Sequence, residues 1–389
     1  MSGRQGSLKR DPESGTWSFV VDLTSPGVRP RKQVRRRGYP TKKAALAGLD
    51  EIKDELSRGE YVAPTKQTLG GYLTDTWLPT VRGRYRPTTV DTWTRLARVH
   101  VIGHTAADIP LQQLTAPALD RLYADLAAGA RRGPLSAASV RMVHTLVHRA
   151  LADAVRWNLL ARNAADRASR PRVERPEPKA WSPETLRAFL AATASDRYAP
   201  LWRFLASTGC RRSEALGLRW RDVDLDARTA SIVRILVPVG GAITFDEPKT
   251  ATGRRTVALD TATVRTLRDH RRRQAAERLM IGEGWRGEAY GDLVFTAPDG
   301  SPILPQTATQ AFRLAVRRYG LPSLPLHGLR HTWATNALRA GVHPKVVQGR
   351  LGHSSIAMTL DVYSHVTEGM DAAAAETVAA LIAGGDGAS

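Results

Sequence analysis

Apolar and polar residues alternate in the N-terminal part of the chain in a way that predicts a small sheet and one helix. The segments 17–23 and 32–39 have the alternation and the β-branched or aromatic content typical of strands, and a Pro/Gly-containing turn at 25–27 separates them. Thr41 has the residue type and position of an N-cap for a helix that continues to about Arg58. The apolar face expected for this helix consists of Ala45, Leu46, Leu49 and Ile52.

From about 69 to 170 the apolar residues recur at spacings of three and four, which predicts a unit built of helices. One helix is expected to start at Thr88, and Thr115 and Ser136 are placed to cap two more. The positions expected to face the core are Val90, Trp93, Leu96, Ala97, Leu119, Leu122, Tyr123, Leu126, Val140, Val143, Leu146, Val147 and Leu151.

Two irregular stretches predict the boundaries between domains. One lies at 63–68, and the clearer one, at 170–180, is rich in proline and charge. Beyond it Ser182 opens a helix, and the runs 230–235 and 255–259 are predicted to pair as one hairpin. The predicted fold class is multidomain: a small basic α+β domain at 1–65, an all-α domain at 66–172, and a mainly helical mixed α/β domain with a small antiparallel sheet at 173–389.

The amino-acid composition indicates what kind of partner the protein binds. The chain has 57 Lys and Arg against 37 Asp and Glu, a formal charge of +20, and a basic excess of this size favours a polyanion such as nucleic acid. A solvated basic protein or one bound to anionic membranes is the alternative. Cys210 is the single cysteine, which excludes an intramolecular disulfide framework and cysteine-based zinc fingers. With no signal peptide and no apolar run of about 18–20 residues, a cytoplasmic protein without a membrane span is expected.

The first candidate site residues are basic and lie near turns. Arg211 follows Gly209 at the predicted start of a helix, where backbone N–H groups favour an anion, and Glu214 is close enough to orient a guanidinium or to close the helix N-terminus. Lys249 is expected at the tip of the predicted hairpin, where it could protonate a leaving oxygen. Taken alone, each of these residues is more typical of an ordinary helix or a solvated protein surface than of an active site.

A second group of candidates lies nearer the C-terminus. His327 and Arg330 are three residues apart and would share one side of a helix, a pattern that favours a phosphate site. His327 and His331 have a spacing that can ligate a metal, but Gly328 stands where a His-Glu-x-x-His zinc site needs Glu. His353 follows Leu351-Gly352, and Tyr363 lies ten residues further on.

The ordered set Arg…Lys…His-x-x-Arg…Leu-Gly-His…Tyr resembles the tyrosine recombinase (phage-type integrase) family over about residues 180–370. The resemblance implies a catalytic domain at 173–389, a core-site DNA-binding domain at 66–172 and, by shape and charge only, an arm-type-site DNA-binding domain at 1–65. It also implies catalytic roles for Arg211, Lys249, His327, Arg330, His353 and Tyr363, with Tyr363 as the nucleophile.

By this resemblance the protein is expected to be a site-specific DNA recombinase that integrates and excises a mobile element through a 3′-phosphotyrosyl intermediate. Two arginines can neutralise the pentacoordinate phosphorane, so neither a cofactor nor a metal ion is expected. The implied partners are double-stranded DNA with core and arm-type attachment sites, three further protomers in a tetramer on synapsed DNA, a directionality factor and a host DNA-bending protein. The Ala-rich stretch 371–383 is expected to be the helix that docks on a neighbouring protomer.

Several other functions share some of these features. A relaxing topoisomerase uses the same phosphotyrosine chemistry, and a Xer-like chromosome-dimer resolvase belongs to the same family but typically lacks a basic N-terminal extension. A non-catalytic DNA-binding or nucleoid protein would match the charge without needing the six-residue set. A metal-dependent nuclease is disfavoured, because no cluster of carboxylates accompanies the histidines.

Overall fold

A computed structural model describes residues 6–23, 33–58, 61–129, 133–173, 179–248, 251–357 and 359–360, together with positions 375, 376, 378, 379 and 382. Two of the predicted site residues, Lys249 and Tyr363, and most of the stretch 371–383 lie outside the described residues. The chain divides into two compact units, Met1–Glu174 and Arg175–Ser389, and the division falls within the connector predicted at 170–180.

The first unit begins with an antiparallel sheet in the order β1-β2-β3 that is covered by one helix. Phe19 and Val21 of the central strand are buried against Ala45 and Leu49 of the helix, and the Thr41 hydroxyl accepts the Ala44 N–H as the predicted cap. The elements are β1 (Gly6–Arg10), β2 (Trp17–Asp22), β3 (Gln33–Tyr39) and α1 (Lys42–Ser57).

Two details of this region differ from the prediction. Strand β1 was not expected, because its short polar sequence has little alternation; its pairing with β2 supplies the hydrogen bonds that its own pattern does not indicate. Leu46 was expected in the core but is 40% exposed, so the buried face of α1 is narrower than the apolar pattern suggests.

The rest of the first unit is helical around a second hydrophobic cluster, as predicted. The Ser136 hydroxyl caps a helix as expected, by accepting the Ser139 N–H, whereas Thr115 occupies its cap position without a side-chain hydrogen bond. The elements are α2 (Leu69–Gly71), π-helical turns at Tyr72–Trp77, α3 (Leu78–Val81), α4 (Pro87–Leu96), π-helical turns at Ala97–Val101, 3-10 turns at Thr105–Asp108 and Leu111–Gln113, α5 (Ala116–Ala128), α6 (Ala137–Arg156) and a 3-10 turn at Ala164–Asp166.

Helices of the second unit pack around an aromatic cluster. Trp181, Phe189, Trp202 and Phe312 lie with ring centroids 5.1–5.9 Å apart, mostly tilted or edge-to-face. The helices are α7 (Pro183–Ala192), α8 (Ala199–Thr208), α9 (Arg212–Leu216), α10 (Thr261–Ile281), α11 (Pro305–Arg318), α12 (Gly328–Arg339) and α13 (Pro344–Leu351), with 3-10 turns at Trp220–Asp222, Ala251–Gly253, Gly282–Gly284 and Gly287–Tyr290. Within the described ranges, no helix is both long and apolar enough to cross a bilayer.

The predicted single hairpin at 230–259 is wrong in its connection. The two outer strands do pair, but a second hairpin lies between them and turns at Gly240-Gly241, both of which have positive φ. Residues 247 and 248 therefore follow this inner hairpin and do not form the tip that was predicted for them. The strands are β4 (Val223–Asp224), β5 (Thr229–Ile232), β6 (Ile235–Val239), β7 (Ala242–Asp246) and β8 (Arg255–Ala258). Pro238 lies within β6, which belongs to a two-stranded ribbon.

A buried hydrogen bond in the first unit yields a stability prediction. Asp153 is 3% exposed and accepts the indole N–H of Trp77 at 2.9 Å. Asp153→Ala leaves that N–H buried without an acceptor, so we expect the free energy of unfolding to fall by about 1–3 kcal/mol. Urea unfolding of the full chain, followed by circular dichroism, measures this loss. In the control Asp166→Ala, which removes a largely exposed partner of His148, the change should stay within about 0.5 kcal/mol. Equal losses would contradict the prediction.

Candidate active site

Arg211 meets a buried carboxylate where helix α9 begins. Gly209 ends α8 in the left-handed conformation, and Arg211 follows as the extended N-cap residue of α9. Glu214 accepts the Arg211 backbone N–H through Oε2 and its Nη1–H through Oε1, both at 2.8 Å. The two roles predicted for Glu214, orienting a guanidinium and closing the helix N-terminus, are thus combined in one side chain.

Arg330 lies in the first turn of α12 and is 4% exposed. Its Nη1 donates to the carbonyl oxygen of Gly209 at 2.9 Å, and its Nη2 donates to the carbonyl oxygen of Leu351 at 2.7 Å. Arg330 therefore links the turn that precedes Arg211 to the end of α13. The structure brings together two predicted site residues that are more than a hundred positions apart in the sequence.

Three arginine side chains donate hydrogen bonds to the C-terminal end of α13. Three consecutive carbonyl oxygens each accept from a different guanidinium: residue 350 from Nε of Arg255 at 2.6 Å, residue 351 from Arg330, and residue 352 from Nη2 of Arg211 at 3.2 Å. The last carbonyls of a helix lack partners within it and carry the negative end of its dipole, which favours cations there. Gly352 turns the chain away in the left-handed conformation.

Arg255 is the residue of this cluster that sequence reasoning missed. Its side chain is 7% exposed and donates through Nη2 to Glu214 Oε2 at 2.8 Å. In the sequence it is one of many arginines, and its only signal was its place a few residues after Lys249.

His353 lies beside the arginines and is buried. Its Nδ1 is 2.9 Å from the hydroxyl of Thr359, which is fully buried. Burial and the positive charges of Arg330 and Arg211 lower the pKa of His353 to about 4. The ring is therefore neutral at pH 7.

His327, in contrast, is exposed at the start of α12. Its ring meets that of His331 edge-to-face, with centroids 5.1 Å apart. Partial desolvation, together with His331 and the neighbouring arginines, lowers the pKa of His327 to about 4, so the ring is neutral at pH 7. In the part of the chain that the structure describes, no three His, Cys, Asp or Glu side chains are grouped to hold a metal ion.

A cavity opens beside these residues, and Arg211 and Glu214 line it. Glu214 pairs with Arg211 and Arg255, and Arg330 remains protonated at pH 7 although burial and Arg211 lower its pKa to about 10. The cavity has a volume of about 370 Å³. Its lining residues are Arg211, Ser213, Glu214, Ile235, Pro248, Gly253, Gly352 and Ser354. The guanidinium of Arg211 can donate to an anion in this cavity.

Comparison with known proteins identifies relatives of the chain. The family model described as "Phage integrase family" matches residues 182–370. The Tyrosine recombinase XerC-like of Caldanaerobacter subterraneus subsp. tengcongensis is 27% identical over 89% of this chain and 92% of its own length. An integrase of Streptomyces ambofaciens is 29% identical over 92% of this chain and 91% of its own length.

Two solved structures share the fold. The Tn1549 transposon integrase in complex with a circular intermediate DNA has a TM-score of 0.66 at 22% identity, covering 80% of this chain and 99% of that one. A lambda integrase dimer bound to a COC′ core site has a TM-score of 0.56 at 16% identity, covering 91% of this chain and 93% of that one. From the family match and the near full-length relatives, the chain belongs to the phage integrase family of tyrosine recombinases and is a DNA breaking and rejoining enzyme for site-specific recombination of mobile elements.

Proposed function

We propose that this recombinase joins and excises its element at attachment sites through a 3′-phosphotyrosyl intermediate on Tyr363. The observation that carries the proposal is the convergence of Arg211 and Arg330 on the end of α13, beside the neutral His353. This arrangement brings two fixed positive charges close to a neutral ring that can form hydrogen bonds, and Tyr363 follows His353 by ten residues in the sequence.

In the proposed cleavage step, the Tyr363 oxygen attacks the scissile phosphorus and loses its proton to His327. Guanidinium N–H groups of Arg211 and Arg330 neutralise the non-bridging oxygens of the phosphorane, and His353 donates one more hydrogen bond to it. The bond to the 5′-oxygen breaks, and Lys249 protonates that oxygen. The phosphotyrosyl bond retains the energy of the phosphodiester, so a new 5′-hydroxyl can reverse the steps and free the tyrosine.

We propose that each of the three predicted domains has its own role. Residues 1–65 bind arm-type sites, residues 66–172 bind the core site, and residues 173–389 carry out catalysis. Lys9 and Arg35 support DNA contact by the first of these, because they are exposed on β1 and β3 opposite the face that packs on α1. A lambda integrase has been solved as a tetramer on a Holliday junction. By analogy we propose a tetramer on synapsed DNA in the cytoplasm, assisted by a directionality factor and a host bending protein.

The nucleophile assignment predicts a covalent adduct that depends on Tyr363. The full chain is incubated in EDTA with a nicked duplex carrying its core site, which is selected from random duplexes by binding. We expect a denaturant-resistant protein–DNA adduct with the wild type and none with Tyr363→Phe, because phenylalanine has no nucleophilic oxygen. Gel electrophoresis after denaturation measures the adduct. No wild-type adduct on a bound site would refute the mechanism, and an adduct with the variant would refute the assignment of Tyr363.

The proposed role of Arg211 predicts a separation of cleavage from binding. In Arg211→Lys the charge is kept but the planar fork is lost, so we expect adduct formation to slow by roughly 10²–10³-fold while the DNA dissociation constant changes little. Single-turnover kinetics and a gel-shift titration measure the two quantities. The control Arg187→Lys replaces an exposed arginine on α7 and should match the wild type in both. Near-wild-type cleavage by Arg211→Lys would make Arg211 a structural residue.

The neutral state of His353 predicts how the free enzyme and the complex titrate. The folded-state pKa near 4 is below the unfolded value of about 6.5, so the contribution of His353 to stability is complete above about pH 6.5 and is lost as the pH falls toward 4. An anionic phosphate in the site should raise this pKa. NMR titration of the His353 ring, assigned with His353→Gln, should show no change between pH 8 and about 5.5 in the free protein and a higher midpoint with core DNA. A free-protein midpoint near 6.5 would contradict this.

A further inference from the structure

We infer that Arg255 is a positioning residue that keeps Arg211 and Arg330 aligned for the cleavage step. The inference rests on the proposed function of these two arginines. Its basis is geometric, since Arg255 bonds both to the carboxylate that orients Arg211 and to the helix end that receives Arg330.

The donors of Arg255 are engaged within the protein. Its Nε donates to the carbonyl oxygen of Arg350 at 2.6 Å, its Nη1 to that of Gly253 at 3.1 Å, and its Nη2 to Glu214 at 2.8 Å, with the sulfur of Cys210 3.7 Å away. With 7% of its side chain exposed, Arg255 has little surface left for a DNA phosphate. It therefore differs from Arg211, whose side chain is 36% exposed in the cavity.

Glu214 transmits the effect of Arg255 to Arg211. The same oxygen, Oε2, accepts both the Arg211 backbone N–H and Arg255 Nη2, while Oε1 holds the Arg211 guanidinium. Pairing with these two arginines keeps the pKa of the buried Glu214 carboxyl below its usual value, so the carboxylate stays charged. If Arg255 is lost, the carboxylate is free to rotate toward its remaining partner and take the guanidinium with it.

Arg255 also connects two elements that lie near Lys249 and Tyr363 in the sequence. It begins β8, a few residues after Lys249, and bonds to the end of α13, which precedes Tyr363. The approach is tight at Gly352, where an added Cβ would lie 2.8 Å from the Thr252 carbonyl oxygen and 3.0 Å from Arg255 Nη1. A shift of Arg255 would therefore move the start of β8 relative to the end of α13.

The test compares two conservative variants. Arg255→Lys keeps the charge, but an ammonium cannot reach Glu214 and two carbonyls as the planar fork does. The matched control is Arg219→Lys, because Arg219 also makes a two-pronged bond to a largely buried carboxylate, at 2.6 and 3.0 Å from Asp222. Arg219 has no part in the proposed reaction.

Each full-length protein is given two nicked core duplexes, one with a normal scissile phosphate and one with an uncharged methylphosphonate at that position. We expect Arg255→Lys to slow adduct formation on the phosphate by roughly 100-fold, as a small misplacement of reacting groups does, at unchanged DNA affinity. The loss on the methylphosphonate should be much smaller, because that centre has less charge for the displaced arginines to neutralise. Arg219→Lys should keep the wild-type ratio of the two rates.

This ratio of rates is measured within one sample, so it does not depend on the fraction of protein that is folded. An unchanged ratio in Arg255→Lys would overturn the inference, since a general structural defect slows both substrates equally. Failure of the wild type to form an adduct on either substrate would instead overturn the proposed function, and with it the role of Arg255.

Discussion

A carboxylate that is 1% exposed, as that of Glu214 is, must be paired on every side, because a buried charge left alone is strongly destabilising. Glu214 is paired by Arg211 and Arg255, and the positive charge that remains is shared with the carbonyl oxygens at the end of α13. Removing one partner of such a pair typically costs about 3–5 kcal/mol. The turn after α8, the start of β8 and the end of α13 are thus held together by one set of charges.

Burial and the same charges together determine the protonation of His353. Desolvation and the nearby guanidinium groups both disfavour the protonated ring, and its pKa falls to about 4. A neutral ring beside fixed cations suits a reaction whose negative charge increases on the phosphate oxygens, since the arginines are already in place when that charge develops. The electrostatic arrangement therefore exists in the protein before DNA binds.

The first unit contains two separate hydrophobic cores. The sheet and α1 enclose a core around Phe19, while the helices from 69 onward enclose another in which Trp77 and Asp153 share a buried hydrogen bond. Because the apolar residues are used in these two cores, Lys9 and Arg35 remain on the outer face of the sheet.

Local patterns in the sequence determined the helix starts at Thr41, Ser136 and Ser182 and the pairing of Glu214 with Arg211, because caps and i, i+3 contacts involve neighbouring residues. The order of the motifs indicated the family, but not that Arg211 and Arg330 meet at one helix end. Strand β1, the Gly240-Gly241 hairpin and the role of Arg255 were decided by tertiary structure alone. They depend on partners distant in the chain, such as Arg350 for Arg255, and neither periodicity nor residue type specifies such partners.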